Sequence, residues 1–151
     1  MTSTPSLVLK LDISDVPLTL RDDIERVAGM LSGYEISRED DDEMGRSYLR
    51  LIGRGVELSF KASKLSSVFL YITEGPEDCG TFRGETDLLA RDVLSSQDNN
   101  LFCDALEAQG FDPSKKEYPF SVDRLNDELR LRLEQRQGNA IVLIDDGAMI
   151  R

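Results

Sequence analysis

Residues 128–144 read ELRLRLEQRQGNAIVLI, and this stretch carries the clearest strand pattern in the chain. In ELRLRLE every second residue is leucine and the others are charged, which is the two-residue period of a half-buried strand. RQGN then provides a turn, and the apolar run at 140–144 returns as a second strand. The stretch therefore predicts an antiparallel hairpin with its leucines on one face and Arg130 and Arg132 on the other.

Upstream segments repeat this alternation and predict further strands. These strands are expected at 6–13, 48–52, 56–60, 66–72 and 118–122. Residues 74–84 contain three glycines and a proline, so they are predicted to form a loop.

Two stretches show the helical period instead. The apolar residues within 20–31 fall on one stripe and predict a helix that Thr19 caps. Gly33 is expected to end this helix in the left-handed conformation. A second helix is predicted over 99–109, with Gly110 at its end. The candidate N-caps of the second helix are Ser95, Ser96 and Asp98.

These elements predict an α+β fold, with one curved, mostly antiparallel sheet and two helices on one of its faces. The length predicts a single domain over 1–151. GYE at 33–35 and GFD at 110–112 each follow a helix and precede a hairpin. This order is typical of a degenerate tandem repeat with units 7–75 and 86–146. Chance occurrence of two helix-plus-hairpin units in an α+β domain is the alternative.

The charge balance limits the classes of partner. The chain has 18 Lys and Arg residues against 29 Asp and Glu residues, a net charge of −11. Such a charge repels the phosphates of nucleic acids and anionic membrane surfaces, so neither is expected as a partner. It favours a basic protein partner, although solubility alone also accounts for it.

Targeting signals are not evident in the sequence. The longest apolar runs have five residues, far below the ~20 that a membrane-spanning helix needs. The first residues lack the basic and apolar regions of a signal peptide. The expected location is therefore the cytoplasm, where Cys79 and Cys103 would remain free thiols.

Residue types limit the chemistry as well. The chain has no histidine, which excludes histidine-based catalytic triads and histidine-ligated metals. It has no phosphate-binding glycine motif and no complete calcium loop. We therefore expect no catalytic residue, no bound metal and no cofactor, and we do not expect an enzyme.

One face of the predicted sheet combines acids with aromatic residues. The five consecutive acids from Glu39 to Glu43 repel one another and predict an exposed loop. Tyr48, Glu57, Phe69 and Tyr71 are expected on the sheet face that points away from the helices. Tyrosines on an open face are typical anchors of protein interfaces. The alternative is that the glycine-rich loop covers Phe69 and Tyr71.

The arrangement resembles a known group of proteins. GVELSF (55–60), LSSVFLYI (65–72), FRGE (82–85), the helix ending at Gly110 and the final ELRLRLE–AIVLIDD hairpin are similar to small acidic immunity proteins of bacterial polymorphic toxin systems. These systems include contact-dependent inhibition and type VI secretion. The repeated helix-plus-hairpin layout also resembles that of β-lactamase inhibitor protein.

The resemblance implies a stoichiometric inhibitor rather than a catalyst. It implies an antitoxin that binds a cognate secreted toxin domain in the cytoplasm and blocks its active site. An acidic inhibitor suits a basic toxin such as a nuclease. The expected contact residues are Glu39, Asp40, Asp41, Asp42, Glu43, Tyr48, Glu57, Phe69 and Tyr71.

The main alternative is an adaptor or chaperone that binds an effector of a secretion system. Such a protein would hold the effector for delivery and leave its toxicity intact. A DNA mimic is a third possibility, but ELRLRLE places arginines between the acids.

Overall fold

The computed structural model describes residues 5–41, 43, 45–114, 120–136 and 138–147, without the side chain of Asp41. The described residues contain eleven strands and three helices, which confirms the α+β class. In chain order these are β1 Ser6–Lys10, β2 Asp15–Thr19, α1 Ile24–Met30, β3 Ile36–Asp41, β4 Arg46–Leu51, β5 Val56–Lys61, β6 Lys64–Tyr71, β7 Glu85–Thr86, α2 Arg91–Ser96, α3 Asn99–Glu107, β8 Asp112–Pro113, β9 Ser121–Leu125, β10 Leu129–Arg136 and β11 Asn139–Asp146. None of the described helices is long and apolar enough to cross a membrane.

The strands form two antiparallel sheets. The large sheet has the order β3-β4-β5-β6-β11-β10-β9-β8, and the small sheet has the order β2-β1-β7. Exchanging β3–β6 with β8–β11 leaves the order of the large sheet unchanged, with β6 and β11 paired at its centre. Each half therefore has the same strand order, as the predicted repeat and its alternative both allow. The small sheet and the short helix α2 are additions to the predicted architecture.

One apolar cluster joins both sheets to the helices. Alternate residues of β5, β6, β10 and β11 point into it, as the two-residue period predicts. Each fully buried leucine or phenylalanine in such a cluster contributes roughly 1.5–3 kcal/mol of transfer free energy. The cluster includes Leu58, Phe60, Val68, Leu131, Leu133, Val142 and Ile144 from the sheet and Ile24, Val27, Phe102 and Leu106 from the helices.

The first helix begins later than the sequence predicts. Thr19 is the last residue of β2, and Asp23 caps α1 by accepting a hydrogen bond from the Glu25 N–H at 2.9 Å. The prediction for Gly33 is also wrong, because its φ is not positive. The chain closes the helix differently, with the Tyr34 N–H donating to the carbonyl of Leu31 at 2.9 Å.

The second predicted helix is confirmed as α3. Asp98, one of the three candidate caps, accepts hydrogen bonds from the N–H groups of Asn100 and Leu101 at 2.8 and 3.2 Å. Gly110 follows the helix with a φ of 93°, a conformation that glycine adopts without a side-chain clash. The two helices of the prediction therefore both exist, and only the first needs a new N-terminus.

The prediction that the acid run forms a loop is wrong for Glu39, Asp40 and Asp41. Glu39, Asp40 and Asp41 belong to β3, the edge strand of the large sheet, and they pair with Tyr48, Ser47 and Arg46 of β4. Charged residues are common on edge strands, because they discourage unwanted pairing with another sheet. The repulsion within the acid run is relieved here, since an extended chain points neighbouring side chains to opposite faces.

Candidate binding face of the large sheet

The large sheet has a second face, which points away from the core. We call it the open face. The residues that alternate with core residues along the strands lie on it, and the strand register places them side by side. Its central residues are Tyr48, Glu57, Ser59, Ser67, Phe69, Tyr71, Arg130, Arg132, Leu143 and Asp145.

The acidic edge of this face is formed by β3. Glu39 is exposed and lies beside Tyr48 on the open face, whereas Asp40 points to the other side of the strand. The pKa of Asp40 lies below its ordinary value, because the Ser47 hydroxyl and then Arg38 donate hydrogen bonds to its carboxylate. Glu43 is also exposed. The side chain of Asp41 and the whole of Asp42 lie outside the described residues.

The aromatic residues of the face are not equally accessible. Tyr48 and Phe69 are half-buried and remain available at the surface. Phe69 lies directly opposite Leu143 of β11, at the centre of the sheet. Tyr71 is only 9% exposed, so it offers little contact area.

Tyr71 and Glu57 instead belong to a buried polar network. The Tyr71 hydroxyl donates to Glu57 Oε1 at 2.9 Å, and Arg50 holds Glu57 Oε2 through two N–H groups at 2.6 and 3.0 Å. Burial, and then the charge of Glu57, raises the pKa of the Tyr71 phenol. This network fixes Glu57 within the protein, so neither Tyr71 nor Glu57 lies on the accessible contact surface.

The glycine-rich loop at 74–84 covers this network. A Cβ on Gly75 would lie 2.9 Å from the Tyr71 ring, which shows how closely the loop approaches. The Phe82 N–H donates to the Tyr71 carbonyl at 2.7 Å, and Glu77 makes an ion pair with Arg50 at 3.2 Å. The alternative that the loop covers the open-face aromatics is therefore right for Tyr71 and not for Phe69.

The loop is held in place by the turn between β4 and β5. Gly55 has a φ of 71°, and a Cβ there would lie 2.0 Å from the Phe82 nitrogen. The Gly55 N–H donates to the Cys79 carbonyl at 2.7 Å, and the Cys79 thiol contacts the Val56 carbonyl at 3.6 Å. Burial, and then the charge of Glu57, raises the pKa of the Cys79 thiol to about 11. Cys79 is therefore a packing residue beneath the loop.

A basic pocket occupies the middle of the open face. It has a volume of about 310 Å³. Its charged lining consists of Arg46, Lys61, Arg130, Arg132, Asp145 and Asp146. Four cations against two carboxylates make this pocket a cationic region in an otherwise acidic protein.

The ion pairs within the pocket leave part of its charge available. Asp145 accepts a hydrogen bond from the Ser67 hydroxyl at 2.6 Å and lies 3.7 Å from an Arg132 nitrogen. Arg130 pairs with the buried Asp123 through its Nε at 3.0 Å. The buried Nε of Arg132 has no hydrogen-bond partner among the described residues.

Sequence reasoning placed Arg130 and Arg132 on the open face but missed Arg46 and Lys61. These two residues face each other across β4 and β5. The two-residue period of a strand could have identified both residues. Lys61 continues the outward positions of VELSF, and Arg46 lies two residues before Tyr48 and therefore on the same face. Their meeting with Arg130 and Arg132 depends on the β6–β11 pairing, which no local pattern predicts.

The open face combines three kinds of chemical group. It offers exposed carboxylates at the edge, two accessible aromatic rings and guanidinium groups at the centre. Among the residues that the structure describes, no group of three acids or cysteines is arranged to hold a metal ion. Comparisons of the chain with family models, with curated proteins and with solved structures find no match in any of the three.

Proposed function

We propose that this chain is a cytoplasmic immunity protein that binds a cognate secreted toxin domain through its open face. The observation that carries the proposal is the pairing of exposed Glu39 on β3 with the half-buried Tyr48, on the same sheet face as the half-buried Phe69 of β6. A face with charged rim and aromatic centre is the usual arrangement of a specific protein interface.

The acidic edge would act first, during encounter. Exposed carboxylates attract a basic partner over about one Debye length, ~10 Å at 0.1 M salt. Glu39 lies on the open-face side of β3 and Glu43 just beyond the strand, whereas Asp40 adds its charge from the opposite side of the same edge. A basic toxin surface, such as the phosphate-binding site of a nuclease, would be drawn to this edge.

The aromatic residues would supply most of the binding free energy. Phe69 on β6 and Tyr48 on β4 are rigid side chains on strands of the same sheet, so little conformational entropy is lost when they are covered. Residues of this type cost ~2 kcal/mol or more when they are truncated in an interface. Leu143 is buried and lies directly opposite Phe69 on the neighbouring strand β11.

The basic pocket sets a further requirement on the partner. The partner must present cationic groups opposite β3 and an anionic group opposite Arg46 and Lys61. A surface with only positive charge would be repelled from the middle of the face. Discrimination between toxins therefore follows from the pattern of charge rather than from the net charge of −11.

Co-expression tests this proposal. The chain is produced together with candidate toxin domains of basic net charge, and growth and co-elution are measured. The proposal predicts restored growth and a stable complex with one copy of each protein. Co-elution without restored growth would contradict inhibition and favour an effector-binding adaptor, and the absence of any complex would contradict both functions.

A further inference from the structure

A second basic cavity lies on another part of the molecule, between elements of both sheets. It has a volume of about 530 Å³. Its charged lining consists of Lys10, Asp12, Arg54, Arg83, Glu85 and Arg91. We call it the cationic cleft. It shares no lining residue with the pocket of the open face.

The cleft is assembled from four separate chain segments. Lys10 ends β1, Arg54 lies in the turn between β4 and β5, Arg83 precedes β7, and Arg91 begins α2. A Cβ on Gly84 would lie 2.3 Å from the Lys10 carbonyl oxygen, so β1 and the chain before β7 are in close contact. The positive charges of these segments repel one another, so bringing them together costs electrostatic free energy. A bound anion would offset this repulsion.

Unpaired cations are concentrated in the two cavities. Within the described part of the chain, six Lys or Arg side chains make no ion pair, although acids outnumber bases by 29 to 18. Three of them, Lys10, Arg83 and Arg91, line the cationic cleft. Arg46 and Lys61 line the open-face pocket. The sixth, Arg136, stacks on the Phe120 ring at 3.6 Å.

The two acids of the cleft already have partners. Glu85 accepts a hydrogen bond from the backbone N–H of Arg91 at 3.1 Å, and Asp12 pairs with Arg54 at 3.1 Å. The Arg91 side chain is held in position by the carbonyls of Phe82 and Gly84, each at 2.9 Å. Carbonyl oxygens orient the guanidinium but do not neutralise its charge. The cleft therefore retains positive charge in a fixed position.

We propose that the cationic cleft binds a small anionic molecule through a phosphate or carboxylate group. The volume lies within the ~300–1,000 Å³ range of small-molecule sites and exceeds the space that a bare ion needs. Guanidinium groups and an ammonium group line the same cleft, and both bind the oxyanions of either chemical class. This site is independent of the open face, and its occupancy does not depend on the proposed toxin.

Calorimetric titration of the full chain tests the proposal. The probes are inorganic phosphate, adenosine 5′-monophosphate and malonate, at about 50 mM salt, where charge interactions are weakly screened. We expect saturable binding of at least one probe with a Kd of about 1 mM or lower. Tighter binding of inorganic phosphate or adenosine 5′-monophosphate would indicate a phosphate site, and tighter binding of malonate would indicate a carboxylate site.

Matched variants locate the binding. Lys10→Gln combined with Arg83→Gln removes two exposed charges of the cleft and should weaken binding at least tenfold. Arg46→Gln combined with Lys61→Gln removes the same charge from the open-face pocket and should change the Kd less than twofold. Thermal unfolding confirms that both variants fold. The proposal is wrong if no probe saturates, or if both double variants weaken binding equally.

Discussion

Glu57 is a buried carboxylate that accepts three hydrogen bonds beneath the loop at 74–84. It is 8% exposed, it receives two N–H groups from Arg50, and it accepts the hydroxyl of Tyr71. A buried carboxylate is stable only when its oxygens are satisfied. Removal of one partner should therefore cost more than the mean value of a hydrogen bond.

Tyr71→Phe isolates one of these contacts. The variant keeps the ring beneath Gly75 and leaves Glu57 Oε1 without its hydroxyl donor. We expect the free energy of unfolding to fall by about 1–2 kcal/mol, measured by urea denaturation. The control variant is Tyr48→Phe, because Tyr48 is half-buried on the same face. It should change the free energy of unfolding by less than about 0.5 kcal/mol. Equal effects would show that the Tyr71 hydroxyl has no structural role.

Gly55 is required by a close backbone approach as well as by its positive φ. Gly55→Ala places a Cβ against the Phe82 nitrogen, and we expect a loss of about 2 kcal/mol or more. Gly53→Ala in the same turn also has a positive φ, 73°, but meets nothing within 4 Å. It should cost only about 1 kcal/mol. Thermal denaturation measures the loss of stability in both variants. Similar losses would contradict the close contact between Gly55 and Phe82.

Cys79 predicts a pH dependence of stability. The pKa of its thiol rises from the ordinary value of 9.0 to about 11 in the folded protein. The folded state thus favours the neutral thiol. The contribution is complete below pH 9 and is lost as the pH rises from 9 to about 11, by up to about 3 kcal/mol. The difference in unfolding free energy between wild type and Cys79→Ala should narrow over this range. A constant difference would contradict the raised pKa.

At the scale of elements, β3 is the segment that sequence reasoning described least well. The strand β3 forms because it pairs with β4, and this pairing cannot be inferred from the local sequence. Its consecutive acids also hide the two-residue period of a strand. The strands β7 and β8 have two residues each and exist only through their neighbours. By contrast, the strands with alternating leucines and the helix capped by Asp98 follow from local chemistry, and they were predicted correctly.

The charge of β3 can be tested by kinetics. Glu39→Lys combined with Asp40→Lys should slow association with the toxin domain by about tenfold at low salt, because the edge then repels a basic partner. Asp15→Lys combined with Asp104→Lys introduces the same change in charge at exposed positions of β2 and α3. This control should slow association less than threefold. Association rates are measured by stopped flow. An equal fall in both variants would show that net charge, and not the position of the acids on β3, controls association.

At the scale of the whole molecule, two sets of four strands, β3–β6 and β8–β11, meet at the β6–β11 pair, and the open face extends across both. The sequence predicted that a helix precedes a hairpin in each half and that Arg130 and Arg132 point outward, and it left open whether the loop at 74–84 covers Phe69 and Tyr71. The sequence could not decide between an accessible and a covered Tyr71, since the path of the loop at 74–84 depends on tertiary contacts at Gly55. The two basic cavities were also hidden, because each collects charges from distant segments.

The affinity of an open-face variant for the toxin domain tests the central claim most directly. Phe69→Ala removes the central aromatic ring of the face. Leu101→Ala removes an apolar side chain of α3 that is 48% exposed and lies off the sheet. Calorimetry should give a Kd about 30-fold higher for Phe69→Ala, the equivalent of ~2 kcal/mol, and less than threefold higher for Leu101→Ala. An unchanged Kd for Phe69→Ala, in a variant that unfolds at the wild-type temperature, would contradict binding through this face.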